Sequence, residues 1–302
     1  MVKKRKGKSK RGIDPGEPEE VSNAPHTFVI KRGKIGKHGT QLMLDMRRVM
    51  EPNTASSLKV KKKNVIKDFL AVASIFHVTN LIVLTRTSKA MYMRFCKIPH
   101  GPTLVFKVEK YSLCRDVISS LRKAVVVPNL HVFAPFLVMN GFSKSSTEDM
   151  KTTLMTTLFQ EMFPAIDVKA VKITALKRCV LLNYDEQTNT LEFRHFVIRI
   201  KPVGISKPIK KLVCGKRLPN LGSLASVEEI FEKNIALSES EGEGLDEVEE
   251  ERHVTLPQTV PTRGNLLNER SAIRLTELGP RMTLKLIKIE DGLMKGNVLF
   301  KA

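Results

Sequence analysis

Tryptophan is absent from the 302 residues, tyrosine occurs three times, and aromatics make up only 6% of the chain. A packed core must therefore rest on Leu, Ile, Val, Met and Phe, and few rings are on hand to stack against bases. No apolar run approaches the roughly 18 residues that a bilayer-spanning helix requires. The opening, MVKKRKGKSKRG, has no apolar stretch after its charges, so it does not read as a secretory signal. Cys96, Cys114, Cys179 and Cys214 include no C-x-x-C pair. That spacing argues for reduced thiols over a zinc site or a disulfide framework. The seven histidines are dispersed, with no H-x-x-x-H and no acid at metal spacing. No serine or cysteine, including the Ser112-Leu113-Cys114 run, has a recognisable nucleophile context.

Negative charge is outnumbered. Fifty-one Lys and Arg face 31 Asp and Glu, giving a net charge of +20 and a pI near 9.9. Eight of those acids sit in one block, ESEGEGLDEVEEE (239–251), which contains no base. A pI above ~9 with clustered bases is the footprint of a nucleic-acid binder. Solubility alone asks for a net charge of only about 2–8 in a small domain. The excess calls for an anionic partner.

Catalytic machinery is also missing. GKIGKHGT (33–40) lies between a strand and a helix and resembles a phosphate loop. However, Gly36-Lys37 is followed by His38, and Thr40 comes too late for the G-x-x-x-x-G-K-[ST] pattern. NLIVLTRTS (80–88), the strand that would supply a magnesium-binding acid, carries Thr85 and Arg86 instead. What survives is a cradle of glycines, Lys34, Lys37 and a helix N-terminus, able to hold a backbone phosphate. No enzyme activity, cofactor, metal or small-molecule substrate is expected.

One phrase occurs twice: HGPTLVFKVEKY (100–111) and LGPRMTLKLIKIEDG (278–292). Aligned on Gly101-Pro102 and Gly279-Pro280, Leu104, Phe106 and Val108 fall on Met282, Leu284 and Leu286, while Lys107 and Lys110 fall on Lys285 and Lys288. Alternation along a strand predicts an apolar face and a lysine-bearing face in each copy. The elements that precede each copy also match. The first half predicts a strand over 27–33, a helix from Thr40 to about Met50, and a helix capped by Asn64. That second helix carries Val65, Phe69, Val72 and Phe76 on one face, and strands follow over 80–88 and 90–98. The second half predicts a strand over 135–142 and a helix with a box-like Ser146…Asp149 start. Its stripe is Met150, Leu154, Leu158 and Met162, and a hairpin turns at DEQTN (185–189). The fold class expected is α/β (α+β), built as two similar halves. The domain spans 27–296, with halves 27–125 and 132–296. Around it lie a disordered basic tail (1–26), a flexible basic and acidic insertion (about 203–270) and a short remnant (297–302). Ser238 and Ser240 sit in an acidic context where phosphorylation would deepen the charge.

The bases cluster. Lys31, Arg32, Lys34, Lys37, His38, Arg47 and Arg48 fall at the first strand–loop–helix; Lys61, Lys62 and Lys63 form a run; Arg86, Lys89 and Arg94 lie on neighbouring strands. Phosphate contacts accumulate across such a surface by releasing counterions. With no RRM, KH or zinc-knuckle signature, binding to structured RNA by shape and backbone is expected. The competing reading is a protein-interaction scaffold whose charge only localises it.

VMEPNTASSLK (49–59), NVIKDFLAVASIFHVTNLIVLT (64–85), IPHGPTLVFKVEKYSL (98–113) and ELGPRMTLKLIKIEDGL (277–293) closely resemble the Brix-domain proteins, and within them the Peter Pan subfamily of ribosome-assembly factors. The resemblance covers roughly residues 27–296. It implies a nucleolar role in maturing the large ribosomal subunit, binding to precursor rRNA, and pairing with assembly proteins that include a small helical companion. A small-subunit processing role within the same domain family is the related alternative. It also marks the Gly279-Pro280-Arg281 strand start, with Lys285 beyond it, as RNA- or partner-facing. Relatives in that subfamily usually continue into a Lys-rich tail, whereas this chain stops at Ala302.

Overall fold

The computed structural model describes residues 24–61, 64–122, 127, 129–142, 150–166, 173–202, 253–255 and 270–301. Strand β1 (His26–Arg32) leads to helices α1 (Gly36–Met50) and α2 (Ile66–Ile75), then to strands β2 (Val78–Arg86), β3 (Met91–Lys97) and β4 (Thr103–Ser112). After the short helix α3 (Cys114–Ser120) come β5 (Phe136–Asn140), α4 (Met150–Met162), β6 (Arg178–Asp185) and β7 (Thr190–Pro202). The chain closes with β8 (His253–Thr255), β9 (Arg270–Glu277), β10 (Arg281–Glu290) and β11 (Val298–Lys301).

All these strands join one mixed sheet, whose main path is β1-β2-β3-β4-β10-β7-β6-β5. The path reads alike from either end. The edge pairs β1–β2 and β5–β6 are parallel, and every pairing between them is antiparallel. The two Gly-Pro phrases meet in the middle as β4 and β10. Lys107 lies directly opposite Lys285, the residue with which the sequence match equates it. A pseudo-twofold axis therefore passes between these lysines. The pair Arg281–Ser112 recurs as Glu290–Thr103, and the two register shifts fall at equivalent places. Gly101 and Gly279, at φ +110° and +75°, start the two strands. A Cβ on Gly101 would come within 2.3 Å of the Asp291 carbonyl oxygen, so that turn needs glycine for both conformation and space.

Alternation puts Leu104, Phe106, Val108, Met282, Leu284 and Leu286 on one face, all buried. Helices α1 and α4 cover that face. Leu42, Met46 and Val49 come from α1 and Met155, Leu158, Phe159 and Met162 from α4, all in a single core. Phe159 carries the joint between halves. Its ring lies edge-on to Phe95 at 5.4 Å and 6.3 Å from Phe106, both on strands of the first half. Each such ring contributes roughly 1.5–3 kcal/mol by burial, with edge-to-face geometry adding about 0.5–1.5 kcal/mol. The opposite face is partly covered by α2, through Phe69 and Ala73 packed over Phe28, Ile30, Leu81, Val83 and Cys96.

Several expectations need revision. Helix α1 begins at Gly36, four residues before Thr40. Gly39, expected in the loop before the helix, is a close-packing residue inside it: a Cβ there would sit 2.0 Å from Ile35 Cγ2. Helix α2 is flanked by Val65, whose N–H donates to the Asp68 carboxylate at 2.9 Å, so Asn64 is not its cap. The buried line of α2 is Phe69 and Ala73, rotated from the stripe expected. Val65, Val72 and Phe76 are exposed, as is Ile75. On α4, Met150 is exposed and Met155 and Phe159 take its place in the core. Strand β9, not foreseen, extends the sheet beside β7 (Phe196–Pro202), with β8 outside it, so part of the expected insertion is regular sheet. Residues 298–301, within the expected C-terminal remnant, pair with β10, and Phe300 packs on the core. The acidic block, Ser238, Ser240, Lys62, Lys63, the Ser146…Asp149 helix start and residues 1–23 lie outside the described residues.

Candidate nucleic-acid interface

On the face bearing α2, one line of side chains crosses the sheet beyond the helix. Cross-strand pairing gives its order: Arg32–Thr85–Tyr92–Lys107–Lys285–Thr190. Arg32 and Lys285 are exposed; Tyr92 and Lys107 are half-buried. The next line inward holds Arg94 opposite Val105, which in turn faces Lys288. Among the described residues, no carboxylate lies within ion-pair distance of Arg32, Arg94, Lys107 or Lys285. Lys288 is paired with Glu290. Like charges directly opposite each other on adjacent strands destabilise a sheet, so the Lys107–Lys285 pair on the axis costs stability that an anion would relieve. A concavity of about 450 Å³ opens on this surface, lined by Arg32, Tyr92, Arg94, Val105, Ile287 and Lys288 among others.

The same charge continues around the sheet's end. Because β1 and β2 are parallel, their C-terminal ends coincide, and Lys31 and Arg86 project to the face opposite Arg32 and Thr85. There they meet the N-terminus of α1. Its first turn contains no acid and has no side-chain cap, which leaves its N–H groups and positive dipole end available to an anion. Lys34, Lys37 and His38 are exposed around it. Lys31 Nζ donates to Thr40 Oγ1 at 3.2 Å, and Arg86 Nη1 donates to the Ile35 carbonyl at 3.3 Å. Lys89 is exposed in the β2–β3 turn.

Other expected site residues fall elsewhere. Arg47 is buried, and its guanidinium donates to the carbonyls of Val29 (3.0 and 2.8 Å), Ser56 (3.2 Å) and Leu58 (2.9 Å). It staples the loop after α1 to β1 and presents no charge to a ligand. This corrects the expectation, because a basic residue one step round the helix from Arg48 faces the core. Arg48 is exposed at the far end of α1. Lys61 is exposed in the loop before α2. Arg281 is exposed but clamped by Glu277, at 2.9 and 2.6 Å. Tyr92, Lys107 and Lys288 escaped the sequence reading as binding residues. In AMYMRFCKI the alternation was nonetheless visible: Met91, Met93 and Phe95 point to the core, which leaves Tyr92 and Arg94 on the other face.

A second cavity, about 760 Å³, lies at the junction of the halves, lined by residues that include Arg48, Glu51, Ile118, Leu130, His131 and His195. Arg178, fully buried beside it, donates to the carbonyls of Phe133 (3.0 Å), Arg48 (2.9 Å) and Glu51. Burial lowers its pKa to about 10, so it stays charged at neutral pH. Burial also drives His195 down to about 4, against the opposing effect of its 2.9 Å hydrogen bond with the Gly279 carbonyl. It is a neutral anchor for the start of β10. Burial pushes the Cys96 and Cys114 thiols up to about 12 and Cys179 up to about 11, so these are inert packing residues. Among the described residues, no cluster of His, Cys, Asp or Glu has metal-binding geometry, and no helix is long and apolar enough to cross a membrane.

Comparison with known proteins gives the following. The family described as Brix domain matches residues 33–288. The chain is 44% identical to Suppressor of SWI4 1 homolog of Mus musculus, over 93% of this chain and 58% of that protein. It therefore spans less than two thirds of that relative's length. It is 39% identical to the Peter Pan-like protein of Arabidopsis thaliana, over 93% of this chain and 81% of that one. It is 32% identical to Ribosome biogenesis protein SSF2 of Saccharomyces cerevisiae, over 93% of this chain and 74% of that one.

Proposed function

The chain belongs to the Brix-domain family, and from that membership we propose that it is a non-enzymatic RNA-binding factor in assembly of the large ribosomal subunit. In this reading it works in the nucleolus, on precursor rRNA. The observation that carries the RNA assignment is the basic band, none of whose bases is ion-paired with a carboxylate among the described residues. It runs from Lys285 and Lys107 on the axis through Arg94 and Arg32, then over the ends of β1 and β2 to Lys31, Lys34, Lys37 and Arg86. Backbone phosphates bind along such a band by displacing counterions, with little demand on base identity. The matched halves read as two copies of one unit, joined to hold a rigid, extended sheet under the RNA. The groove at their junction, with exposed Ile118 and Val132 at its rim, receives a helix of a companion protein.

The test is affinity for an rRNA fragment as a function of salt. Neutralising 6–10 phosphates weakens binding by about 10³–10⁵-fold between 50 and 200 mM salt. The combined charge reversal of Lys31, Arg32, Lys34 and Lys37 flattens that dependence. A wild-type affinity indifferent to salt contradicts the reading. The scaffold alternative draws support from the exposed apolar residues on and flanking α2: Val65, Val72, Ile75 and Phe76. If the charge-reversed protein still crosslinks to rRNA in cells but no longer enters pre-ribosomal complexes, that alternative is correct.

A further inference from the structure

We propose that the concavity beside Tyr92 is a platform for an unpaired nucleotide: one base lies flat on the Tyr92 ring, and its flanking phosphates rest on Arg32 and Arg94. The proposal deepens the RNA-binding reading above and rests on it. The whole chain has three tyrosines and no tryptophan. Tyr184 is buried. Tyr111 lies near the other end of β4, well away from this concavity. Tyr92 alone lies inside the basic band, half-exposed, on strand β3 between β2 and β4.

The site's make-up matches a nucleotide. Its floor contains Val105, buried, and Ile287, half-buried at the register shift of β10. Its rim is Arg32, Arg94 and Lys288, with the hydroxyls of Thr85 and Thr87 between them. An apolar floor with one ring and a cationic rim suits a flat, uncharged base joined to an anionic backbone. The volume, about 450 Å³, falls within the range of about 300–1,000 Å³ typical of small-ligand sites. An A-form duplex cannot use such a platform, because its bases are already stacked on one another. The pocket therefore selects loops, bulges and ends.

The opposite half supplies an internal control. By the axis through Lys107 and Lys285, Tyr92 corresponds to Thr190, Thr85 to Asp185 and Arg94 to Glu192. At the same addresses in the same sheet, the ring and the cation are replaced by a hydroxyl and two carboxylates. The platform thus rests on side chains that the second half lacks at the matching register positions.

Tyrosine emission, readable in a protein without tryptophan, tests this on the full chain. The probes are an oligouridylate of roughly ten nucleotides, within the site sizes of single-strand binders, and an RNA duplex of equal length. Oligouridylate is expected to quench emission in the wild type and in Tyr111→Phe. In Tyr92→Phe the affinity is retained but that quenching disappears. Tyr92→Leu, which keeps an apolar β-compatible side chain, weakens oligouridylate binding by about 5- to 150-fold and leaves duplex binding unchanged. Equal loss for duplex and single strand, wild-type affinity in Tyr92→Leu, or quenching that persists in Tyr92→Phe each overturns the platform. Salt-dependent RNA binding indifferent to Tyr92 overturns the platform alone. Absence of salt-dependent binding to either probe removes the RNA reading as well.

Discussion

The two halves of the sheet share an architecture and differ in charge. Outward from the axis, the first half presents Lys107, Tyr92, Thr85 and Arg32, while the second presents Lys285, Thr190 and Asp185. One line inward, Arg94 is matched by Glu192, which is itself paired with Arg194 at 3.3 Å. Strand order and register about the axis match between these arms, so the side chains at equivalent positions can be compared directly. The core shows the reverse: Leu104, Phe106 and Val108 are matched by Met282, Leu284 and Leu286, apolar for apolar. Packing tolerates exchange of one hydrophobe for another of like volume, whereas a solvent-facing row is free to change sign. One arm thus became a cationic surface while the other took up carboxylates.

The strongest way to break the comparison is to separate the halves. Phe159→Ala removes the ring that α4 places against Phe95 and Phe106. A loss of about 3–5 kcal/mol is expected, as for other buried Phe truncations. Urea denaturation measures it. Unfolding in two steps after this change would show that the halves stand independently.

Lowering the pH should weaken the second half's Gly-Pro strand start. His195 titrates near 4 when folded and near 6.5 when unfolded, because burial disfavours its charged form. Its contribution is complete above about pH 6.5 and is lost as pH falls toward 4, since the unfolded chain takes up a proton that the folded chain refuses. The cost across that window is about 3 kcal/mol. His131, also lowered by burial, acts with the same sign. Urea midpoints between pH 7 and 4.5 should fall in the wild type and fall less in His195→Gln. An equal slope in both would assign the effect to other groups.

Much of this was legible in the chain itself. The repeated Gly-Pro phrase located both central strands, and alternation within it identified the buried face, because period two admits only one assignment once a core exists. The basic residues around β1 and α1 were visible as a cluster. What linear order could not supply was adjacency across strands. Lys107 meets Lys285 and Arg94 comes level with Lys288 only through register, so a row built from six strands has no local signature. Arg47 misled for a related reason: its charge suggests solvent, yet three carbonyl partners distant in sequence hold it inside. The α2 stripe failed because that helix buries only Phe69 and Ala73 against the sheet, with Ile66 partly buried beside them, and its other apolar side chains, such as Val72, are exposed among the described residues. Strand β9 was obscured by polar alternation, RSAIRLTE, next to a charged stretch.

The smallest change is also the most direct test of where RNA lies. Arg94→Gln and Arg194→Gln each remove one positive charge from the same face, one in each arm. Measured against an unpaired RNA, Arg94→Gln should make the slope of log affinity against log salt shallower by about 0.7, the value of one single-strand phosphate contact. Arg194→Gln should leave that slope unchanged. Equal changes at the two positions would contradict the assignment of RNA to the first half's arm.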